Sequence, residues 1–580
     1  MKKRIITLFS ILIITPCTFF ATTSCTFEDI FDHVTEEQKK LDKGKNNDGG
    51  EIREENYDFV ITPQNVTGDF RTFLQNIVNN YSNILIKNGV YDIELINWRG
   101  ISPKDNCTIT FEKEAKIKVK PNNLEAYSLI DLRGRKNIKL INPNLEGDKY
   151  THLGSKGEWG FGINLTDCSD VIIHNAKITK FWGDGVYMNN CNNIKLYKPH
   201  ISDNRRQGIS IISGNNIEIY DLIVENTGGV SPGYGIDVEP NWNGENVTNL
   251  RIYNPIFRGN DKTKNAHPVG FCLSAHKANV INPKKGKLVD SKFDIEIFNP
   301  LFEGDMLFVM PHNDYVKGRL IVHNPTFIRS NETAVYFRDH QSDFFETEIK
   351  NAKFLDCVQS FERSIYLAPI LFYCSRKGVK KTGTKNIRII NPIIEGNKKG
   401  NFNDFVAIRN IGTNSFLDDL KDVVISNITI KGYDKIFYNH GGLPSNISDL
   451  HPNFSLTVNK KSVLPTPKYD LSVSKNLNGS IVNHTSTINN STIYIGDDIP
   501  ISGFEFYYTN NSGDSSPLKL IFGTKERPTQ VIVDRWNSEK ITGIEIPHGQ
   551  YVKLKKNKTD NQGIQYWVIT ESSKSIKNIK

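Results

Sequence analysis

Gly185-Val186-Tyr187-Met188-Asn189-Asn190-Cys191-Asn192-Asn193-Ile194-Lys195-Leu196-Tyr197 decides the fold, because both of its alternating segments return along the chain. The glycine-led segment recurs as Gly162-Ile163-Asn164-Leu165, Gly208-Ile209-Ser210-Ile211, Gly235-Ile236-Asp237-Val238 and Gly270-Phe271-Cys272-Leu273, at spacings of 23, 23, 27 and 35 residues. In each copy the residues one and three after the glycine are apolar. A strand places such positions inward and those at plus two and plus four outward. The second segment recurs as Val171 to Asn175, Ile217 to Tyr220, Leu250 to Asn254, Ile295 to Asn299, Leu320 to Asn324, Ile387 to Asn391 and Val423 to Asn427. Many copies end in Asn, often before a proline (Pro255, Pro300, Pro325, Pro392). Such corner asparagines can bond to their copies above and below. A constant strand motif with variable spacing predicts stacked coils with loops of unequal length leaving one side, that is, an all-β parallel β-helix.

Cys168 and Cys191 occupy matching sites one coil apart, as do Asp170 and Asn193, and a stacked pair of buried thiols is expected there, a disulfide being the alternative. Phe70 to Tyr81, preceded by Asp69, is the one good helix. Phe70, Phe73, Leu74, Ile77 and Val78 share a face, and the helix can cap the open end of the stack. From about residue 453 the repeat is lost. Thr492 to Ile495, Phe504 to Tyr507 and Gln565 to Ile569 read as strands of a small all-β domain.

The N-terminus opens with the cationic Met1 to Arg4, followed by a largely apolar run from Ile5 to Ala21 broken by Pro16. This is the layout of a secretory signal, too short and broken for a membrane span. Thr22-Thr23-Ser24-Cys25 resembles the lipobox of bacterial lipoproteins, with Thr22 standing where that motif usually has Leu. The resemblance implies lipidation at Cys25 and a lipoprotein of the outer membrane or cell surface; a periplasmic or secreted protein is the alternative. Glu36 to Tyr57 is charged and poor in large apolar groups, as a flexible tether is. The expected division is therefore signal 1–24, tether 25–56, β-helix 57–452 and C-terminal β-domain 453–580.

Six cysteines remain beyond Cys17 and Cys25, with no CxxC pair, which argues against zinc or a disulfide scaffold. No metal or cofactor is expected. A formal charge of +8 over 580 residues does not imply a nucleic-acid partner, and it allows a preference for anionic glycans.

The Asn-Pro corners, the Phe70 to Tyr81 cap and runs such as Asn204 to Ile211 resemble the pectate-lyase-like superfamily of right-handed parallel β-helices, over roughly residues 57–452. The resemblance implies a right-handed coil and carbohydrate handling along one exposed sheet. Its members include hydrolases, lyases, epimerases and phage tailspikes, so the fold alone does not choose the reaction. Gly183-Asp184-Gly185 lies where polygalacturonase-like hydrolases carry an aspartate, without their Asp-Asp pair or Gly-His-Gly. Tyr234-Gly235-Ile236-Asp237-Val238-Glu239 is similar to the Tyr-Gly-x-Asp-x-His stretch of mannuronan C5-epimerases and related lyases, and carries over Tyr234 and Asp237. Glu239 replaces the histidine.

Asp237 and Glu239, at plus two and plus four, should project from one outer face with Cα atoms roughly 7 Å apart. Crowded carboxylates separate in proton affinity, one serving as acid and the other staying ionised, as glycoside hydrolysis requires. The alternative is a pair of solvated surface acids. Asp184 is a candidate third catalytic carboxyl or a turn residue. Ser210, Tyr187 and Asn164 fall in the Asp237 column, with Asn189 at the end of the Tyr187 strand. Trp182 and Trp242 are candidate sugar platforms or packed loop residues. Arg205 and Arg206 can clamp a uronate or form structural ion pairs. His276, His312, Arg338 and His340 should extend the groove near Glu239. The leading expectation is a glycoside hydrolase acting on a polysaccharide or oligosaccharide. A lyase or C5-epimerase of uronic-acid polymers and a non-catalytic glycan-binding surface protein are the alternatives.

Overall fold

The computed structural model describes residues 56–260 without a break, 268–359 apart from 284–285, then 367–374, 384–396, 406–412, 420–431, 433 and 435–440, and a set of strands between 455 and 579. The expected signal, Cys25 and nearly all of the tether lie outside the described residues.

The chain is a right-handed parallel β-helix in which each coil contributes short strands to three faces, every strand pairing in parallel with its copies one coil before and after. One face is a separate sheet of twelve strands: β1 (Arg99–Ile101), β2 (Ala126–Asp131), β3 (Trp159–Thr166), β4 (Val186–Asn189), β5 (Ile209–Ile211), β6 (Ile236–Val238), β7 (Val269–Ser274), β8 (Met306–Met310), β9 (Val335–Arg338), β10 (Ile370–Cys374), β11 (Val406–Gly412) and β12 (Lys435–His440). Its register is the one the repeat predicts. Asn164 pairs with Tyr187, Tyr187 with Ser210, Ser210 with Asp237, and Asp237 with Cys272.

The repeated glycine has a steric cause. A Cβ on Gly208 would lie 2.5 Å from the carbonyl oxygen of Gly235 and 2.5 Å from a Val224 methyl. Any side chain there would push two coils apart, so the strand entry is left bare.

Inward residues fill the coil interior like stacked coins. Phe257, Phe302, Phe327 and Phe354 stack with centroids 4.7 to 4.9 Å apart and are fully buried. Each such side chain contributes about 2–3 kcal/mol by leaving water. At one corner Asn142, Asn175, Asn254, Asn299, Asn324, Asn351, Asn391 and Asn427 take left-handed backbone angles of 50° to 56°. From Asn254 to Asn427 each side-chain amide donates to the corner residue one coil below at 3.0 Å, as Asn175 does to Asn142. The ladder satisfies polar groups that a corner would otherwise leave unpaired.

Helix α1 (Phe70–Asn80) is capped by Asp69, whose carboxylate accepts from Thr72 N at 2.9 Å, and it turns Phe70, Leu74, Ile77 and Val78 onto the first coils. The Cys168 and Cys191 sulfurs lie 3.7 Å apart as buried free thiols. Parallel stacking runs on to Ser455–Val458, after which strands from Leu471 to Ile579 form a five-stranded and a six-stranded sheet.

Candidate active site

The side chains of β4 to β7 build a polar network on the outer face of the twelve-stranded sheet. Residues just before each glycine form their own column, since Gly162 N bonds Asp184 O, Gly185 N bonds Gln207 O and Gly208 N bonds Tyr234 O. Asp184, Gln207 and Tyr234 are therefore stacked beside the Asn164–Tyr187–Ser210–Asp237 column. Asp184 is fully buried. It accepts from Arg206 Nη1 at 3.0 Å, from Ser210 Oγ at 2.7 Å and from Gln207 N at 3.2 Å. Gln207 Nε2 in turn donates to Asp237 Oδ2 at 2.8 Å, while Asp237 Oδ1 has no nitrogen or oxygen partner. The Cys272 thiol, next above in register, lies against the same carboxyl group.

Arg206 is the cation of this network. Besides Asp184 it reaches Glu239 at 3.4 Å and Glu158 at 3.5 Å. Burial works against its charge, but Asp184 and Glu239, both in contact with it, hold it protonated. Glu239 sits at the rim, contacting Lys277 Nζ at 3.4 Å as well. One guanidinium thus serves several carboxyl groups, and Asp237 is the one it does not touch. Burial drives Asp237 well above the usual carboxylate range and the Glu239 charge adds to this, against the weaker pull of Arg206, Cys272 and Gln207. Asp184 is also raised by burial, with Arg206 opposing. Burial without a contacting cation thus favours the protonated form of Asp237, while Glu239 contacts two cations.

Several sequence expectations are corrected here. The Asp237 column faces outward but is not a solvent-exposed stripe. Asp237 and Ser210 are 1% exposed and Asn164 6%. Trp182 is not a sugar platform. Its ring is sandwiched, stacked on His152 at 3.8 Å with the Arg205 guanidinium carbon 3.8 Å from its centroid. Arg205 is committed to the same packing and to the Gly157 and Trp182 carbonyl oxygens, so it is no substrate clamp. His340 is fully buried, bonded to Thr347 Oγ1 at 2.8 Å, and burial pushes it down to about 3, which removes it from any groove.

The other predicted residues are dispersed around Glu239. His276 follows β7 with Nδ1 2.9 Å from Ser274 Oγ. Burial lowers its proton affinity, the Glu239 charge pulls the other way, and Lys277, His312 and Arg338 lie close enough to act on it. His312 Nδ1 is 4.0 Å from Asp339, and the half-exposed Arg338 contacts the same carboxylate at 3.7 Å. Tyr187 stacks on Phe161 at 4.6 Å, and Tyr234 meets Phe308 edge-on. Trp242 is exposed on the loop after β6. Asn189 turns away to the coil corner, accepting from Ser213 Oγ and lining an asparagine-rich cavity of about 610 Å³.

Gln207, Glu158, Lys277 and Cys272 are members of the site that the sequence reading passed over. Cys272 stands at plus two of its motif and Gln207 just before its glycine, so the repeat itself marks both. No cluster of metal-binding side chains occurs among the described residues.

Fold and wall define the class as a right-handed parallel β-helix protein. Residues 75–257 match the family model described as the right handed beta helix region. The uncharacterized protein YclG of Bacillus subtilis (strain 168) is 33% identical over 88 residues, which is 14% of this chain and 15% of that protein. A second uncharacterized B. subtilis protein, the SPbeta prophage-derived YorA, is 26% identical over 117 residues, 20% of its length. The chain thus matches a fifth or less of these curated relatives. Among solved structures, the mannuronan C-5 epimerase AlgE4 A-module of Azotobacter vinelandii aligns at 13% identity and TM-score 0.45, over 66% of this chain and 98% of that one. The catalytic unit of a GH87 alpha-1,3-glucanase from Streptomyces thermodiastaticus strain HF3-3 aligns at 14% identity and TM-score 0.41, over 68% and 66%. Such likeness concerns the fold and carries no part of the functional reading.

Proposed function

We propose that the chain is a carbohydrate-active enzyme that cleaves a polysaccharide, as a glycoside hydrolase with Asp237 as general acid and Glu239 as its ionised partner. One observation carries the reading: two neighbouring carboxyl groups stand in opposite surroundings, Asp237 buried with no cation in contact and Glu239 at the rim against two. Burial without a cation of its own favours the protonated form of Asp237, and its Oδ1 has no nitrogen or oxygen partner. Glu239 is held by Arg206 and Lys277, two cations that favour its charged form. Protonating a leaving oxygen needs the first and stabilising positive charge on the sugar ring, or activating water, needs the second. Access to Asp237 requires the rim side chains Arg206 and Glu239 to move aside when a glycan enters. Asp184 acts through Arg206, whose guanidinium it holds.

Incubation with plant, algal and host glycans, with products read by mass, tests this. Hydrolysis adds one water per cleaved bond, and loss of that product in Asp237→Asn and Glu239→Gln supports the assignment. A lyase or epimerase is the second reading, favoured by the neutral imidazole of His276 near Glu239 and by the cations Lys277 and Arg338, which suit a uronate. Elimination adds no water and leaves an unsaturated, ultraviolet-absorbing end, while epimerisation leaves mass unchanged. Binding without any shortening would support a non-catalytic glycan-binding role. We also propose export as a lipoprotein anchored through Cys25, on the strength of the N-terminal sequence.

A further inference from the structure

The outward aromatic residues of the coils fall into two kinds. On the face that carries the Asn ladder, His174, Tyr197, Tyr220, Tyr253, Phe298 and His323 stack ring on ring at 4.5 to 5.0 Å with nearly parallel planes. Their faces are consumed by one another, so that column is structural. On the twelve-stranded sheet two tryptophans are exposed instead. Trp159, at the start of β3, is 54% exposed, and Trp98, immediately before β1, is 43% exposed.

Both are tied to the site through its own residues. Trp159 follows Glu158, which pairs with Arg206. The Trp98 ring carries the guanidinium carbons of Arg99 and Arg133, each 4.6 Å from its centroid. Arg133 is bound to Asp131 through two contacts of 2.8 and 2.6 Å, and Asp131 is the foot of the Asp237 column, pairing with Asn164. Arg99 differs from Arg133. It is exposed, and among the described residues its guanidinium makes no ion pair or hydrogen bond, only the contact with Trp98.

We propose that the N-terminal part of this wall is a binding track for a glycan lying along the coil axis. Trp159 is an aromatic platform for one pyranose, and Trp98 with Arg99 is a distal subsite for a sugar bearing a carboxylate or sulfate. The inference rests on the carbohydrate reading given above and names the substrate class as an anionic polymer. Trp159 stands three strands from Asp237 and Trp98 five, about 14 and 24 Å along the coil axis at the usual strand spacing, and both lie four to five residues, about 13–17 Å, to the strand-entry side of the Asp237 column. An extended glycan advances by about one strand spacing per sugar, so the track holds some five residues. Indole faces pack on the C–H faces of pyranoses. A guanidinium laid flat on an indole keeps its charge and its fork of donors for an oxyanion.

The test is calorimetric binding of oligogalacturonates of three and eight units to the full-length Asp237→Asn variant, which blocks turnover. The octamer should bind at least about tenfold tighter than the trimer. Trp159→Ala and Trp98→Ala should each lose about five- to tenfold on the octamer with little change on the trimer. Arg99→Gln should lose a similar factor on the octamer, and the loss should shrink as salt is raised. All three side chains are exposed, so circular dichroism should show an intact fold. Equal affinity for the two lengths, no octamer binding, or variants that bind like their parent would overturn the proposal. Product mass with the unmodified protein is a separate readout. Length-dependent binding without cleavage would sink the hydrolase reading alone, and cleavage without length dependence would sink the track alone.

Discussion

Replacing Arg206 by Gln should destabilise the coil around Asp184 in a pH-dependent way. Asp184 is fully buried and, among the described residues, Arg206 is the only cation paired with it, at 3.0 Å, with 14% of the arginine side chain exposed. Removing one partner of such a pair leaves an uncompensated buried charge, which costs about 3–5 kcal/mol. The cost falls as the carboxyl group takes up a proton. Burial already raises Asp184 in the intact protein, and loss of Arg206 raises it further. A carboxyl group whose folded-state value lies above the unfolded one binds more protons when folded, so stability falls as pH rises between the two values. The deficit should therefore be full at pH 8 and shrink toward pH 4, near the unfolded value of about 3.9. Urea unfolding at both pH values, with hydrogen exchange of residues 183–211, measures it. Asp184→Asn should recover most of the loss when combined with Arg206→Gln. An equal deficit at pH 4 and 8, or no recovery in the double variant, would refute the assignment of Arg206 as counter-charge.

Other outcomes follow from the same contacts. Asp237→Asn and Glu239→Gln should each lower turnover by about 10²–10⁴ while leaving the far-ultraviolet dichroism unchanged. Gly208→Ala should lower the unfolding midpoint or abolish soluble expression, because its Cβ would meet the Gly235 carbonyl at 2.5 Å. Asn324→Ala removes two ladder bonds at a left-handed position and should cost about 1–3 kcal/mol in urea unfolding, whereas Asn324→Gly should cost less. Cys25→Ala should move the protein from the membrane to the soluble fraction, and an unchanged distribution would remove the anchor.

The stack was readable from the sequence because its rule is local. A glycine followed by alternating apolar residues states which side chains point inward, and equal offsets from the glycine state which ones share a column. Asp237 over Ser210 over Tyr187 over Asn164 needed nothing more. What period two cannot state is how far an outward side chain is covered. Trp182 and Arg205 each stand three residues before a motif glycine, so the repeat places one over the other, but it does not state that the guanidinium and the ring cover each other. His340 was misplaced for a related reason: it lies beyond the end of β9, where alternation no longer fixes direction. Trp159, at the head of the strand that carries Gly162 to Leu165, and Trp98, just before β1, both lie upstream of the positions whose direction the four-residue motif states.

The central claim is that the fold keeps a proton on Asp237 at neutral pH beside a charged Glu239. Carbon-13 NMR of the protein labelled at aspartate carboxyl carbons, with Asp237→Asn to assign the signal, reads that proton directly. A resonance in the protonated position at pH 7, titrating only in more alkaline solution, is the predicted result. A carboxylate signal for Asp237 at pH 7 would contradict the account.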